Sequence, residues 1–220
     1  ACGWALVSEL SAGLVVAGLI AWLLSREGNA LRRLGWFAVG FVPPMLLLPL
    51  YSWLCFGNPL TLAYSHQASF PEMQKGVYAI QWPDAATAFN LLFSPTRGLL
   101  FWTPFLALAW LGYFKLADRS RALFWLCYAV PVLQIVVISG RVWDWQAGPT
   151  LGPRLLAPML PLLALPCALG VARWPKLGLG LAAVSIGLTS IATLTDATPS
   201  GHIYNPLLEL HLPLLRRGEL

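Results

Sequence analysis

The chain has 220 residues, of which 58% are hydrophobic and only 10% charged, and its mean hydropathy is +0.68. A soluble domain carries about 25% charged residues, so this composition excludes a soluble globular enzyme and places the chain in a membrane. The net charge of +5 collects in short loops between apolar runs, a signature of membrane orientation and no argument for binding nucleic acid.

Six apolar runs approach the roughly 20 residues that a helix needs to cross a bilayer. The first, near Trp4–Leu24, contains Glu9. A carboxylate inside a span is a functional candidate, although its nearness to Ala1 leaves its depth open. Gly13, Ala17 and Ala21 follow at four-residue spacing, which lets helix backbones approach closely. A basic link with Arg26, Arg32 and Arg33 leads to the second run, Leu34–Phe56, which carries Pro43, Pro44 and Pro49. Prolines this dense predict kinked helices around a cavity that opens outward.

Residues 57–98 form the largest extramembrane segment. Ser69–Glu72 has the form of a capping box opening a short helix that Gly76 would end. Asp84 is placed to cap a second, with Ala85, Ala88, Phe89 and Leu92 on one apolar face; such helices are expected to lie on the membrane surface. Tyr64, His66 and Gln67 make a polar-aromatic patch of the kind that contacts sugars, or simply an exposed group of loop residues.

The segment Ser94–Gly98, SPTRG, precedes the third run, Leu99–Leu116. After a basic link (Lys115, Arg119, Arg121) comes the fourth, Leu123–Ser139. The stretch WQAGPTLGPRLLAPMLP, Trp145–Pro161, then leads through Arg154 into the fifth, Leu155–Ala172. Arg173 and Lys176 separate this from the sixth, Leu177–Leu194, where Gly178/Ala182 and Ala183/Gly187 again suggest close packing. The fold class expected is therefore all-α: one polytopic helix bundle of about six spans over residues 1–220, with a long outer loop.

The positive-inside rule puts the three short basic links in the cytoplasm and both termini outside, in a multi-pass protein of the inner (plasma) membrane. Trp22, Trp36 and Trp174 then mark the inner interface, and Trp4, Trp53, Trp102, Trp143 and Trp145 the outer one. Cys127 and Cys167 read as small buried hydrophobes; Cys2 and Cys55 lie near outer ends, without a spacing that establishes a pair.

No pair of carboxylates has a catalytic spacing, and the sequence offers no metal cluster, no Ser–His–Asp set and no phosphate-binding glycine loop. Catalytic residues are therefore assigned to none, and neither metal nor cofactor is expected; His202 and His211 are too isolated to argue for a metal. Asp144, flanked by Trp143 and Trp145, is the best-placed outer carboxylate, with a structural partnership to Arg141 or Arg154 as the alternative. Arg97 and Arg154 both stand at outer helix entrances, where a guanidinium grips phosphate oxygens; the alternative for both is snorkelling to lipid headgroups.

With YSWLCFGNPLTLAY (Tyr51–Tyr64), NLLFSPTRG (Asn90–Gly98), WQAGPTLGPRLLAPMLP and the tail YNPLLELHLPLLRRGEL (Tyr204–Leu220), the chain resembles the C-terminal half of bacterial membrane glycosyltransferases of the GT-C superfamily. The resemblance implies transfer of a sugar from a polyprenyl-phosphate donor, mannosyltransferase-like, at the extracytoplasmic face by an inverting displacement. Arg97 and Arg154 would hold the donor phosphate, with Tyr64, His66, Gln67, Asp144 and Trp145 near sugar or acceptor. It also implies that the catalytic base lies before Ala1, in an N-terminal half that would be the chain's own partner. Where such enzymes often carry paired glycines, this chain has Ala147-Gly148. The competing expectation is a non-enzymatic membrane protein, a transporter half or envelope-assembly partner. A transporter predicts polar groups at mid-membrane, and Gln134 is nearly alone there.

Overall fold

The computed structural model describes residues 1–61, 66, 80–142, 144–200 and 203–218, and every regular element among them is helical. Four helical stretches are long and apolar enough to cross a membrane: Ala30–Phe56, Arg121–Ser139, Arg154–Arg173 and Pro175–Thr195. Shorter apolar helices accompany them, so the chain is an all-α membrane bundle. Its contacts gather into two compact units, Ala1–Trp82 and Pro83–Leu220. The capping box expected at Ser69–Glu72 lies outside the described residues.

In the first unit the run near Trp4–Leu24 is helical but interrupted. Helix α1 (Cys2–Ser8) stops at Glu9, whose backbone is extended at φ −151° and ψ 111°. A 3-10 turn (Leu10–Ala12) then leads into α2 (Gly13–Ser25). The break coincides with Ser8, Glu9 and Ser11, the polar residues of an otherwise apolar run. Asn29 begins α3 (Ala30–Met45) by accepting from the Arg32 amide at 3.0 Å. The Arg33 guanidinium closes the preceding turn on the carbonyls of Arg26 and Glu27. Helix α4 (Leu47–Phe56) continues past the single turn residue Leu46, flanked by prolines that withhold backbone donors. Cys2 and Cys55 are both free.

The second unit opens with α5 (Ala85–Phe93). Asp84 caps it as expected, accepting from the Thr87 amide at 2.6 Å. Thr87 and Leu91 face inward and Phe89 outward, so the apolar face picked out from the sequence is the one left open. The third apolar run is split into α6 (Leu99–Trp102), a 3-10 turn (Pro104–Ala107) and α7 (Leu108–Arg119). The Phe105 amide freed by this break donates to the Ser185 hydroxyl at 3.0 Å. Helix α8 (Arg121–Ser139) follows. A 3-10 turn (Arg154–Met159) then runs into α9 (Leu160–Arg173), and α10 (Pro175–Thr195) comes next. A π-helical turn (Leu207–His211) and α11 (Leu212–Arg217) complete the unit.

Its core joins Leu91, Leu155, Leu156, Met159, Leu163 and Cys167, with Trp145 packed against it. The tightest helix contact is between α7 and α9. A Cβ at Gly112 would collide with the Pro166 backbone, and one at Gly170 with the Leu108 backbone. Lipid tails are as apolar as leucine, so helices in a bilayer associate through this kind of close van der Waals packing. The small-residue faces expected from Gly13/Ala17/Ala21 and Ala183/Gly187 do not make the closest approaches: Gly13 meets only the Leu6 side chain at 3.6 Å, and Gly187 faces open space.

Candidate functional site

Three segments distant in the sequence converge in the second unit. The first is the turn Ser94–Gly98. The Gly98 amide donates to the Ser94 carbonyl at 2.6 Å, and the Thr96 amide to the Ser94 hydroxyl at 3.2 Å. A Cβ at Gly98 would lie 2.6 Å from the Ser94 oxygen and 2.7 Å from the Phe93 carbonyl carbon, so a turn this tight has room only for glycine. It turns Arg97 inward: the side chain is 2% exposed.

The second segment is the loop 140–153. The Gln146 side-chain oxygen accepts from Arg97 Nη1 at 2.8 Å. Arg141 and Asp144 form an ion pair at 3.1 Å in the same loop. Ala147 and Gly148, where paired glycines are expected by resemblance, both have left-handed backbones, with φ of 55° and 87°. Glycine adopts that region freely, whereas an L side chain there costs roughly 1–2 kcal/mol. Ala147 adopts this region despite that cost.

The third segment is the tail. Pro199 offers its carbonyl to Arg97 Nη2 at 3.1 Å, and the Tyr204 carbonyl accepts from the Thr96 hydroxyl at 2.8 Å. His211 is fully buried, its ring edge-to-face with Trp102 at 5.7 Å. Trp102, expected among the outer interfacial rings, is instead 2% exposed and donates to the Thr96 carbonyl at 3.3 Å. Its indole N–H is spoken for inside the protein, and that removes the reason for an interfacial position.

Arg97 thus has neutral partners on both terminal nitrogens, and its Nε meets no partner among the described residues. Burial pushes its pKa below the ordinary arginine value, with the Asp144 charge opposing. A guanidinium stays protonated nonetheless, and an uncompensated buried charge costs of order several kcal/mol.

The remaining expected site residues fall as follows. Arg154 is exposed at the head of the Arg154–Arg173 stretch. Trp145 is partly buried against the core, and Asp144 is held by Arg141. His66 is exposed in the first unit, stacked on Phe56 at 4.5 Å; Tyr64 and Gln67 lie outside the described residues. Glu9 sits at the α1 break, half-buried. Gln134 is fully buried and donates to the Leu155 carbonyl at 2.8 Å, tying α8 to the turn before α9. Two apolar crevices of about 260 and 250 Å³ lie beside α7 and α8 and share Trp110, Tyr113 and Tyr128. Among the described residues no group of His, Cys, Asp and Glu could hold a metal. Gln146, Pro199 and His211 were not foreseen as site residues, because nothing local in the sequence links them to position 97. No protein-family model, curated protein or solved structure matches this chain.

Proposed function

We propose that the chain belongs to a membrane glycosyltransferase that uses a polyprenyl-phosphate sugar donor, and that Arg97 receives the donor phosphate. The observation that carries this reading is the buried Arg97 cation, which has only an amide oxygen and a peptide carbonyl for partners. A phosphate oxygen is a stronger acceptor than either and neutralises the charge. When an acceptor hydroxyl displaces the phosphate from the sugar, negative charge grows on the leaving phosphate, where a fixed guanidinium stabilises it. Arg154, exposed at the head of the Arg154–Arg173 stretch, supplies a second cation on this reading. The crevices beside α7 and α8 suit the hydrocarbon chain of the donor. The base is assigned to no residue of this cluster, since Asp144 is held by Arg141. The extracytoplasmic side of the inner membrane is part of the same proposal.

The test is equilibrium binding of decaprenyl phosphate and of decaprenol to the chain in lipid nanodiscs. Charge-assisted hydrogen bonds contribute about 1.5–3 kcal/mol, so Arg97→Gln should weaken phosphate binding by about 10- to 100-fold and leave decaprenol unaffected. Equal affinity for phosphate and alcohol, or a phosphate affinity indifferent to Arg97 in a folded variant, would overturn the reading.

A further inference from the structure

His211 is the least expected member of the cluster, and its contacts leave one ring nitrogen unserved. Its Nδ1 lies 2.7 Å from the Thr195 hydroxyl, which also approaches the Ile191 carbonyl at 2.9 Å and the Ala192 carbonyl at 3.4 Å. The tautomer of the neutral ring decides which of the two donates, and Nε2 has no share in that contact. Nε2 is buried and finds no partner among the described residues.

The surroundings offer an added proton little. From α10, beyond Thr195, the charged group is Asp196, whose carboxylate accepts from the Thr198 amide and hydroxyl. From α6 comes the uncharged Trp102 indole, whose N–H is already given to the Thr96 carbonyl. On its own turn Glu209 accepts from the Asn205 amide at 2.9 Å, and α11 brings the cations Arg216 and Arg217. Doubly protonated, the ring would bury a charge and an Nε2–H that meets no acceptor among the described residues, whereas water would solvate it fully. Burial accordingly holds the His211 pKa below its ordinary value, with Asp196 opposing.

We propose that residues 203–217 form an acid-released clasp over the Arg97 turn, with His211 as its trigger. The clasp is docked by the Tyr204 carbonyl on Thr96 and by His211 between Thr195 and Trp102. Its release frees the turn that aims Arg97 and loosens the neighbouring Pro199 carbonyl from the guanidinium. That consequence for anion access rests on the phosphate reading of Arg97; the release itself does not. The docked form has the lower histidine pKa, so it binds fewer protons than the released form. Docking is therefore at full strength above the ordinary histidine value and weakens as the pH falls below it. With a released pKa of about 6.5 and no protonation while docked, opening at pH 5.0 should exceed that at pH 7.5 by up to about 30-fold.

Hydrogen exchange of peptides covering residues 203–217, corrected for intrinsic rates, measures that opening in nanodiscs without any donor present. The wild-type chain should lose protection there between pH 7.5 and 5.0 while α8 and α9 keep theirs. His211→Phe and His211→Gln should flatten the pH profile, whichever of the two keeps the tail protected at pH 7.5. Equal protection of the wild-type tail at both pH values, or the same loss in both variants, overturns the clasp. Decaprenyl phosphate binding at the two pH values is measured alongside. Failure of the chain to bind it at either pH, with the exchange profile intact, would remove the phosphate reading and leave the acid release standing.

Discussion

Replacing Gly112 by Ala tests the packing that holds the second unit together. The added methyl would meet three backbone atoms of Pro166: its oxygen, its carbonyl carbon and, at 3.0 Å, its Cα. No side chain can rotate away, so α7 and α9 must separate along their whole contact. Overpacking costs about 1–3 kcal/mol, and a backbone-to-backbone clash belongs at the upper end. Against this, alanine gains up to about 1 kcal/mol over glycine in helix propensity, which leaves a net loss of about 2 kcal/mol. The natural controls are Gly180 and Gly187 in α10, where a Cβ has nothing within 4 Å and only the propensity term acts. Thermal unfolding followed by tryptophan emission in a mild detergent should therefore give opposite signs. Gly112→Ala is expected to lower the midpoint by several degrees, and Gly187→Ala to leave it unchanged or raise it slightly. A Gly112→Ala protein as stable as Gly187→Ala would refute the close α7–α9 approach.

Two further substitutions probe the supports of the cluster. Gly98→Ala keeps an allowed backbone, at φ −62° and ψ 132°, but crowds Ser94, so a loss of about 1–3 kcal/mol is expected. It should also weaken decaprenyl phosphate binding as much as changing Arg97 does; unaltered binding would mean that the turn does not aim the guanidinium. Asp84→Ala removes the cap of α5 and should raise hydrogen exchange across residues 85–93 alone. The Thr87 hydrogen bonds hold the Asp84 carboxyl below its ordinary value, so the cap is complete above the usual carboxylate range. In the wild type, exchange across this helix should rise as the pH falls through and below that range, a trend that Asp84→Ala should abolish.

The bundle was legible because lipid-facing residues obey a composition rule, and all six apolar runs are helical among the described residues. The breaks inside two of them were less so. Pro104 announces the interruption near Thr103 only once Ser185, 80 positions away, is seen to take the freed amide of Phe105. The α7–α9 contact was missed for a similar reason. Gly112 and Gly170 are single glycines on separate helices and make no four-residue pattern, whereas Gly13, Ala17 and Ala21 do, yet a Cβ at Gly13 would meet only the Leu6 side chain. Arg97 was singled out by its place before an apolar run, but its burial was not readable. Its partners Gln146 and Pro199 lie 49 and 102 positions away. His211 had no local signal at all, because its partners Thr195 and Trp102 come from other parts of the chain.

The arrangement of charges in the cluster bears on why an anion could enter it. Asp144 lies close enough to Arg97 to influence its pKa, yet its carboxylate is engaged by Arg141 at 3.1 Å. Had Asp144 paired directly with Arg97, an incoming phosphate would have to displace a charged partner, whose hydrogen bond contributes about 1.5–3 kcal/mol. Gln146 and the Pro199 carbonyl ask much less, since a neutral hydrogen bond contributes only about 0.5–1.5 kcal/mol net. The local pair Arg141–Asp144 thus keeps the neighbouring acid occupied, and Arg97 is held in place by partners that an anion can replace. Removing Arg141 should collapse that separation. In an Arg141→Met protein Asp144 is expected to turn to Arg97, and decaprenyl phosphate binding should fall although Arg97 itself is unchanged. Restored binding in the double variant Arg141→Met, Asp144→Asn would identify the freed carboxylate as the cause; a double variant as weak as the single one would show that Arg141 acts by another route.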